Sequence, residues 1–305
     1  MNKIIVTGGH GFLGKAVCKR LEMCGYDMNH VVVPRSKEYD LTKQSQCEKL
    51  FSKHNPSTVI HLAATCGGIG ANRQNPGVYF YNNMSMGINV IENCRKYNTN
   101  KIILVGTVCS YPKYCQTPFK EDDIWLGYPE ETNAPYGIAK KSLYVMLDAY
   151  RQQYGLNSLV LIPTNLYGPN DNFDDNSSHV IPALIKKIHK CKLNNEKLTV
   201  WGDGSATREF LYVEDAARAI AQGIDVDSSN IINLGSGEEI SILDLVYTIC
   251  NIMKFDTSMI EWDTSKPNGQ PKRMLDISRA RQELKWQNQT TLMDGLSKTI
   301  EWYNA

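Results

Sequence analysis

The chain has 305 residues, with 33 Lys and Arg against 32 Asp and Glu, a formal net charge of +1, and 42% hydrophobic residues. That length allows one large core or two closely packed lobes, with the composition of an ordinary soluble globular protein. A balance this near neutral gives no reason to expect a nucleic-acid or membrane partner, and no apolar run approaches the roughly 20 residues that span a bilayer.

The first half alternates short apolar strands with amphipathic helices. Residues 3–6 read as a strand, 12–24 as a helix and 31–34 as a second strand. A polar helical stretch over 43–54 leads to a strand at 58–62, and a long helix at 78–97 follows. Residues 101–105 form the next strand, 135–154 a long helix, and 158–162 another strand. Strands separated by helices of this length predict an α/β fold with a doubly wound, parallel Rossmann-type sheet, right-handed crossovers, and ligands at the carboxyl ends of the strands. After Pro163 the rhythm changes. Residues 170–178 are polar and turn-rich, then come helices at 180–189, 213–223, 242–253 and 292–303 and short strands at 198–201 and 231–234. This predicts a smaller C-terminal α/β lobe with no flexible linker. The cofactor domain is expected over residues 1–168 plus parts of 205–240, and the substrate lobe over the remaining parts of 169–305.

The start, Met1-Asn2-Lys3, enters a strand pattern at once, too short for the apolar core of a signal peptide. Nine cysteines are scattered without a Cys-x-x-Cys pair, and histidines never join them at ligand spacing. They read as reduced thiols of a cytoplasmic protein, and no metal is expected.

Thr7-Gly8-Gly9-His10-Gly11-Phe12-Leu13-Gly14 follows the first strand and opens the first helix. Glycines at 8, 11 and 14 suit a tight turn, backbone approach to a pyrophosphate, and close helix–strand packing, with the helix N-terminus facing the phosphates. Where the second strand ends, an acid would choose NAD. The chain offers Pro34-Arg35-Ser36-Lys37 instead, and Arg35 can pair with a 2′-phosphate, so NADP(H) is the expected cofactor. A solvated surface arginine is the structural alternative, and Glu38 nearby leaves NAD open.

Reducing a ketone leaves charge on oxygen, so a proton donor must stand beside it. Tyr136-Gly137-Ile138-Ala139-Lys140 offers one: four residues on a helix put Lys140 on the face of Tyr136, where an ammonium should lower the phenol's pKa. Tyr39…Lys43 and Tyr97…Lys101 share the spacing. Tyr136 differs in lying on a long helix after the strand 101–105, whose end carries Thr107.

The glycine turn, the hydroxyl residue after the fourth strand and the Tyr-x-x-x-Lys helix together resemble extended short-chain dehydrogenases/reductases, and within them the GDP-L-fucose synthase subgroup. The segments carrying the narrower resemblance are Gly67-Gly68-Ile69, Cys109-Ser110-Tyr111-Pro112-Lys113, Asn133-Ala134-Pro135-Tyr136, the run from Pro163 to Pro169, and the run from Ser178 to Leu184. Trp201-Gly202, Arg208-Glu209-Phe210-Leu211 and Ser265-Lys266-Pro267 add to it. In that subgroup GDP-4-keto-6-deoxy-D-mannose is epimerised at C3 and C5, and NADPH then reduces the C4 ketone. Both carbons flank the ketone, so an enolate can form at each.

The resemblance implies that Thr107, Tyr136 and Lys140 form the reductive triad and that Cys109 and His179 move the C3 and C5 protons. It implies cofactor contacts from Gly8, Gly11, Phe12, Leu13, Gly14, Arg35, Ala63, Ala64, Lys140, Pro163, Asn165, Leu166 and His179. Asn165, Lys187, Trp201, Arg208 and Lys266 should line the pocket for the GDP-linked sugar. A homodimer joined through the helices 78–97 and 135–154 is also implied. A buried packing thiol is the structural alternative for Cys109, and a helix-start residue the alternative for His179.

Four differences separate the chain from the subgroup: Thr107 for serine, His10 for arginine, Thr65-Cys66 for Lys-Val, and Lys187 for arginine. They leave open a C4-reductase of a related GDP-4-keto sugar or heptose without epimerisation. A 4,6-dehydratase would place acids where Val108-Cys109 stand, and a non-enzymatic dinucleotide sensor need not keep Tyr136, Lys140, Cys109 and His179 together.

Overall fold

A computed structural model describes residues 3–175, 177–266 and 270–305. Its first elements are β1 (Ile4–Thr7), α1 (Phe12–Met23), β2 (Val31–Val32), α2 (Gln44–His54), β3 (Thr58–His61), α3 (Ile69–Gln74), α4 (Pro76–Lys96), β4 (Lys101–Val105), α5 (Ala134–Tyr154) and β5 (Ser158–Pro163). Then come β6 (Asn165–Tyr167), α6 (Val180–Asn194), β7 (Leu198–Trp201), β8 (Thr207–Tyr212), α7 (Val213–Gln222), β9 (Ile231–Leu234), β10 (Glu239–Ser241), α8 (Ile242–Met253), β11 (Ile260–Asp263), α9 (Ser278–Glu283) and α10 (Leu292–Asn304).

Six strands form one parallel sheet in the order β2-β1-β3-β4-β5-β9. β1, β3, β4 and β5 are buried along their whole length, which is why they read as unbroken apolar runs rather than alternating ones. One face packs Ile5, Val59, Ile102 and Leu104 against Leu50, Val90, Leu143 and Leu147 of α2, α4 and α5. The other packs Val6, Ile60, Ile103 and Leu161 against Val17 and Leu21 of α1 and Ile220 of α7. Because β2 and β3 flank β1 on opposite sides, the winding reverses there, and the crevice at the carboxyl ends of β1 and β3 is the expected ligand site of such a sheet.

A second core gathers Tyr167, Ile185, Ile188, Leu198, Phe210, Leu245, Ile249 and Leu296. Around it lie a three-stranded sheet, β10-β8-β6, and the parallel pair β11-β7. α7 and β9 return to the first sheet, so the chain crosses between the two cores more than once.

Most elements fall within one or two residues of expectation. The second strand stops at Val32 rather than at 34, because Pro34 has no N–H for the ladder. α6 runs on to Asn194 instead of 189 and ends on left-handed Asn195. The sequence reading had not anticipated α3, α9, β6, β8, β10 and β11. Asn176 and Pro267 lie outside the described residues.

Candidate active site

At Gly8 φ is +71°, and a Cβ would sit 2.7 Å from the Ala63 amide nitrogen; at Gly14 a Cβ would lie 2.2 Å from the Gly8 carbonyl oxygen. The turn, the first helix and the chain leaving β3 are thus in backbone contact, as glycine alone permits. Gly11 caps α1 with no side-chain hydrogen bond and no acid in the first turn, so the N–H groups at Phe12 and Leu13 face the crevice uncapped. That is an anion cradle. Beneath it, Thr7 Oγ1 accepts the Ala63 N–H at 3.3 Å and meets His61 Nδ1 at 2.7 Å. Burial, helped by the Lys140 charge, holds His61 down at about 3, a neutral floor rather than a catalytic acid. At the end of β2, the His10 ring approaches the Val33 carbonyl at 3.3 Å, and exposed Arg35 opens the next turn by accepting from the Glu38 and Tyr39 amides.

Thr107 leaves β4 and caps a single 3-10 turn, its Oγ1 accepting the Cys109 N–H at 3.2 Å. That turn abuts α5: a Cβ on Gly137 would meet the Cys109 carbonyl oxygen at 2.2 Å. Tyr144 Oη takes the Thr107 N–H at 3.0 Å and lies 3.1 Å from Ser110 Oγ, locking turn to helix. Thr107, Cys109 and Tyr136 therefore share one small volume, with the Thr107 hydroxyl near enough to the Tyr136 phenol to favour its ionised form.

One expectation is corrected. Tyr136 is raised well above 10, chiefly by burial, then by Cys66 and Cys109, and the nearby Thr107 hydroxyl only partly opposes this. Lys140 does share its helix face, but its ammonium donates to the Val105 carbonyl at 3.0 Å and is itself brought down to about 8 by burial.

The model of the NAD dependent epimerase/dehydratase family matches residues 4–235. The chain belongs to that family. It is 40% identical to a GDP-L-fucose synthase of Sinorhizobium fredii over 98% of this chain and 94% of the relative. Among solved structures, a GDP-L-fucose synthetase of Naegleria fowleri bound to NADP superposes with a TM-score of 0.90 at 29% identity, covering 99% of this chain and 94% of that one. A GDP-6-OMe-4-keto-L-xylo-heptose reductase of C. jejuni superposes equally well, TM-score 0.90 at 28% identity, covering 99% and 97%. Fold alone does not choose the sugar within this family.

Residues 168–175 and 177–179 form a strap held against the start of α1 and Gly68. Lys15 Nζ donates to Asn170 Oδ1 at 3.0 Å, and the Gly68 N–H donates to the Ser177 carbonyl at 3.2 Å. The strap ends at His179, the N-cap of α6, whose ring makes no capping bond. His179 is open to solvent, yet the cleft walls desolvate the ring and lower its pKa. Asp171 in the strap has one carboxyl oxygen sealed without a partner, and burial pushes its pKa up to about 7.

Facing the strap, Asn83 clamps Thr65 through both its carbonyl (2.8 Å) and its amide (3.1 Å), and Asn72 holds the Gly67 carbonyl at 2.8 Å. Between them Cys66 opens into the cleft. Burial raises its thiol against the pull of Lys140, and Asp171 and Cys109 add to the rise. A position that stood out in the sequence only as a departure thus shares the cleft with Cys109, Tyr136 and Lys140.

Lys187 and Lys266 both lie over the exposed Trp201 ring, at 5.6 and 5.8 Å from its centroid. Arg208 is held elsewhere, by the Thr207 and Gln270 carbonyls at 2.7 and 2.6 Å. Burial first, and the charge of Arg273 second, bring it down to about 10. Asn165 donates to the Glu209 carbonyl at 2.8 Å, beside buried Pro163 and the half-buried Leu166. Arg273 was missed by the sequence reading. Its guanidinium reaches Cys109 Sγ at 4.0 Å, a contact across 164 residues that no local pattern announces.

Proposed function

We propose that the chain is an NADPH-dependent oxidoreductase of the GDP-L-fucose synthase type, epimerising a GDP-linked 4-keto-6-deoxy sugar at C3 and C5 and reducing its C4 ketone. The observation that carries this reading is the packing of Thr107 and Cys109 against Tyr136 at the carboxyl edge of the sheet, beside the uncapped start of α1.

NADPH fits the residues present. The diphosphate would lie on the Phe12 and Leu13 amides, the adenine ribose beside His10 and Arg35, and the remainder along Ala63, Ala64, Pro163, Asn165 and Leu166 toward Lys140 and His179. When bound, the cofactor supplies the hydride for the ketone carbon. Everything else falls to the chain. Tyr136, kept protonated by burial, gives its proton to the developing alkoxide, and Thr107 orients that oxygen. At each flanking carbon the C–H bond breaks as Cys109 takes the proton, and the electron pair delocalises onto the ketone oxygen. His179 then protonates the other face, which inverts the carbon. The Lys187–Trp201–Lys266 group would hold the nucleotide through charge and ring stacking, and Arg208 with Arg273 would face the diphosphate.

The cofactor is assigned to residues 1–168 with parts of 205–240, and the sugar nucleotide to the rest of 169–305. α4 and α5 carry exposed Val78, Tyr81, Ile88 and Val145, the apolar surface a homodimer of paired helices would cover. All nine cysteines are free, in keeping with a reducing cytoplasm. Among the described residues no helix is long and apolar enough to cross a membrane, and no cluster of ligating side chains could hold a metal ion.

The test is turnover of GDP-4-keto-6-deoxy-D-mannose in heavy water. NADPH oxidation with deuterium at C3 and C5 is expected. Reduction without deuterium would make the protein a simple C4-reductase, and absence of turnover with any 4-keto sugar nucleotide would discard the reading.

A further inference from the structure

We propose that Arg273 is a positioning residue for Cys109, placed to stabilise the thiolate that acts as base. The inference rests on the acid/base role given to Cys109 above.

Three observations support it. The first is how rigidly Arg273 is held. Its Nε and Nη2 both donate to Gln270 Oε1, at 3.2 and 2.9 Å, and Gln270 in turn donates to the Lys113 carbonyl at 2.9 Å. The Glu209 and Phe119 amides bind the Arg273 and Met274 carbonyls at 3.2 and 2.8 Å, stitching this segment to β8 and to the chain beyond the Cys109 turn. The remaining nitrogen, Nη1, is left pointing at Cys109 Sγ at 4.0 Å.

The second is charge. The anchor of the guanidinium is a neutral amide oxygen, and none of the ion pairs among the described residues includes Arg273. Arg208 lies close enough for the Arg273 charge to disfavour its own. Arg208 has the Glu239 carboxylate within reach of its charge, whereas Arg273 is in no ion pair, so Arg273 favours any anion that can reach it. One such anion is a substrate diphosphate. The other is already in contact with Arg273 once Cys109 loses its proton.

The third is the fixed seat of Cys109. Its amide is bound by Thr107 Oγ1 and its carbonyl rests against Gly137, so the backbone that carries the thiol is fixed. The other groups that sense Cys109 are Cys66, Tyr136 and Tyr144, and burial raises all three, which leaves them uncharged around neutrality. Arg273 is therefore the fixed positive charge in contact with the sulfur. A thiolate is both the nucleophile and the base, so a neighbouring cation should raise its reactivity.

The test uses iodoacetamide on the free protein, without cofactor or sugar, with modification of the Cys109 peptide followed by mass spectrometry. Arg273→Gln should slow alkylation of Cys109 about tenfold near neutral pH, whereas Arg273→Lys should keep at least about half of the wild-type rate. Exposed Cys24 serves as an internal control whose rate should not change. If Cys109 in Arg273→Gln reacts at the wild-type rate and only the KM for the nucleotide sugar rises, Arg273 anchors the diphosphate alone and the proposal is wrong. Arg273→Lys alkylating as slowly as Arg273→Gln would also overturn it, since the charge would then not be what matters. Because alkylation needs no turnover, it can succeed or fail independently of the reaction assigned above.

Discussion

Replacing Gly137 by alanine tests the geometry of the site without touching any group that reacts. In an isolated helix the change should stabilise by about 1 kcal/mol, since glycine is a poor helix former. Here the new Cβ would sit 2.2 Å from the Cys109 carbonyl oxygen and 2.9 Å from its carbon, and contacts of this kind essentially never fall below 3.0 Å. The obstruction is backbone, so no rotamer change relieves it. The turn carrying Thr107 and Cys109 must move off α5 by at least 0.8 Å, the difference between 3.0 and 2.2. Tyr144 resists that movement, because its hydroxyl is bonded to the Thr107 amide and to Ser110. Overpacking of this sort costs about 1–3 kcal/mol, so after the helix gain the net loss of stability should be small. The loss of rate should not be small. A displacement near 1 Å among reacting groups can lower turnover by roughly 10²-fold. Single-turnover oxidation of NADPH with the 4-keto sugar should therefore fall about a hundredfold, while NADPH affinity stays within about twofold because the glycine turn is untouched. A turnover within about threefold of wild type would refute the claim that contact between α5 and the Cys109 turn sets the geometry.

Three further outcomes follow from the same structure. Arg35→Ala should raise the KM for NADPH and leave NADH kinetics nearly unchanged; an equal effect on both cofactors would show that Arg35 does not read the 2′-phosphate. Tyr136→Phe should lower reduction by about 10²–10⁴-fold yet leave much of the proton exchange at C3 and C5 in place, and near-normal reduction would remove Tyr136 as the donor. Glu209 is fully buried, accepts the Gly237 and Leu275 amides at 2.7 and 2.9 Å, and is pushed up to about 7 by burial. The folded state therefore holds a proton that the unfolded chain releases, so this group's contribution is full below about pH 4.5 and is lost as pH rises toward 7. With a folded value about 2.5 above the usual one, denaturant unfolding of wild type should lose roughly 2 kcal/mol more than Glu209→Gln between pH 5 and 8; parallel curves for the two proteins would contradict this.

The central sheet was legible because buried strands and amphipathic helices write different periods into the chain, and β4 and β9 fall where those periods place them, as do β7 and α8 around the second core. The second lobe was less so. β8 begins Thr207-Arg208-Glu209, which reads as surface, yet Glu209 is fully buried because the amides of Gly237 and Leu275 arrive from distant segments. Helical spacing correctly put Lys140 on the face of Tyr136, but the direction of the Tyr136 shift is decided by burial, which spacing does not report. Arg273 is the extreme case. Its surroundings, Gln270-Pro271-Lys272-Arg273, have no period and no turn signature, and its meaning lies in a sulfur 164 positions away.

The titration pattern of the cleft separates two kinds of binding energy. Tyr136, Lys140, His179 and Cys66 are all shifted toward their uncharged forms, with burial the leading cause in each. In the proposed reaction Tyr136, His179 and Cys66 are uncharged donors and acceptors that gain strength only when charge develops on the ketone oxygen, while Lys140, at about 8, stays largely an ammonium near neutral pH. The proposed nucleotide end would differ: Lys187 and Lys266 over Trp201, with Arg208, are cations that would meet a diphosphate as strongly in the ground state as in the transition state. Interactions of the second kind set KM, and only those of the first raise turnover. A phenol held well above 10 is also a poor base. It keeps its proton until an alkoxide, a far stronger base, forms beside it, so the cleft is built to deliver a proton to reduced substrate rather than to remove one from an alcohol.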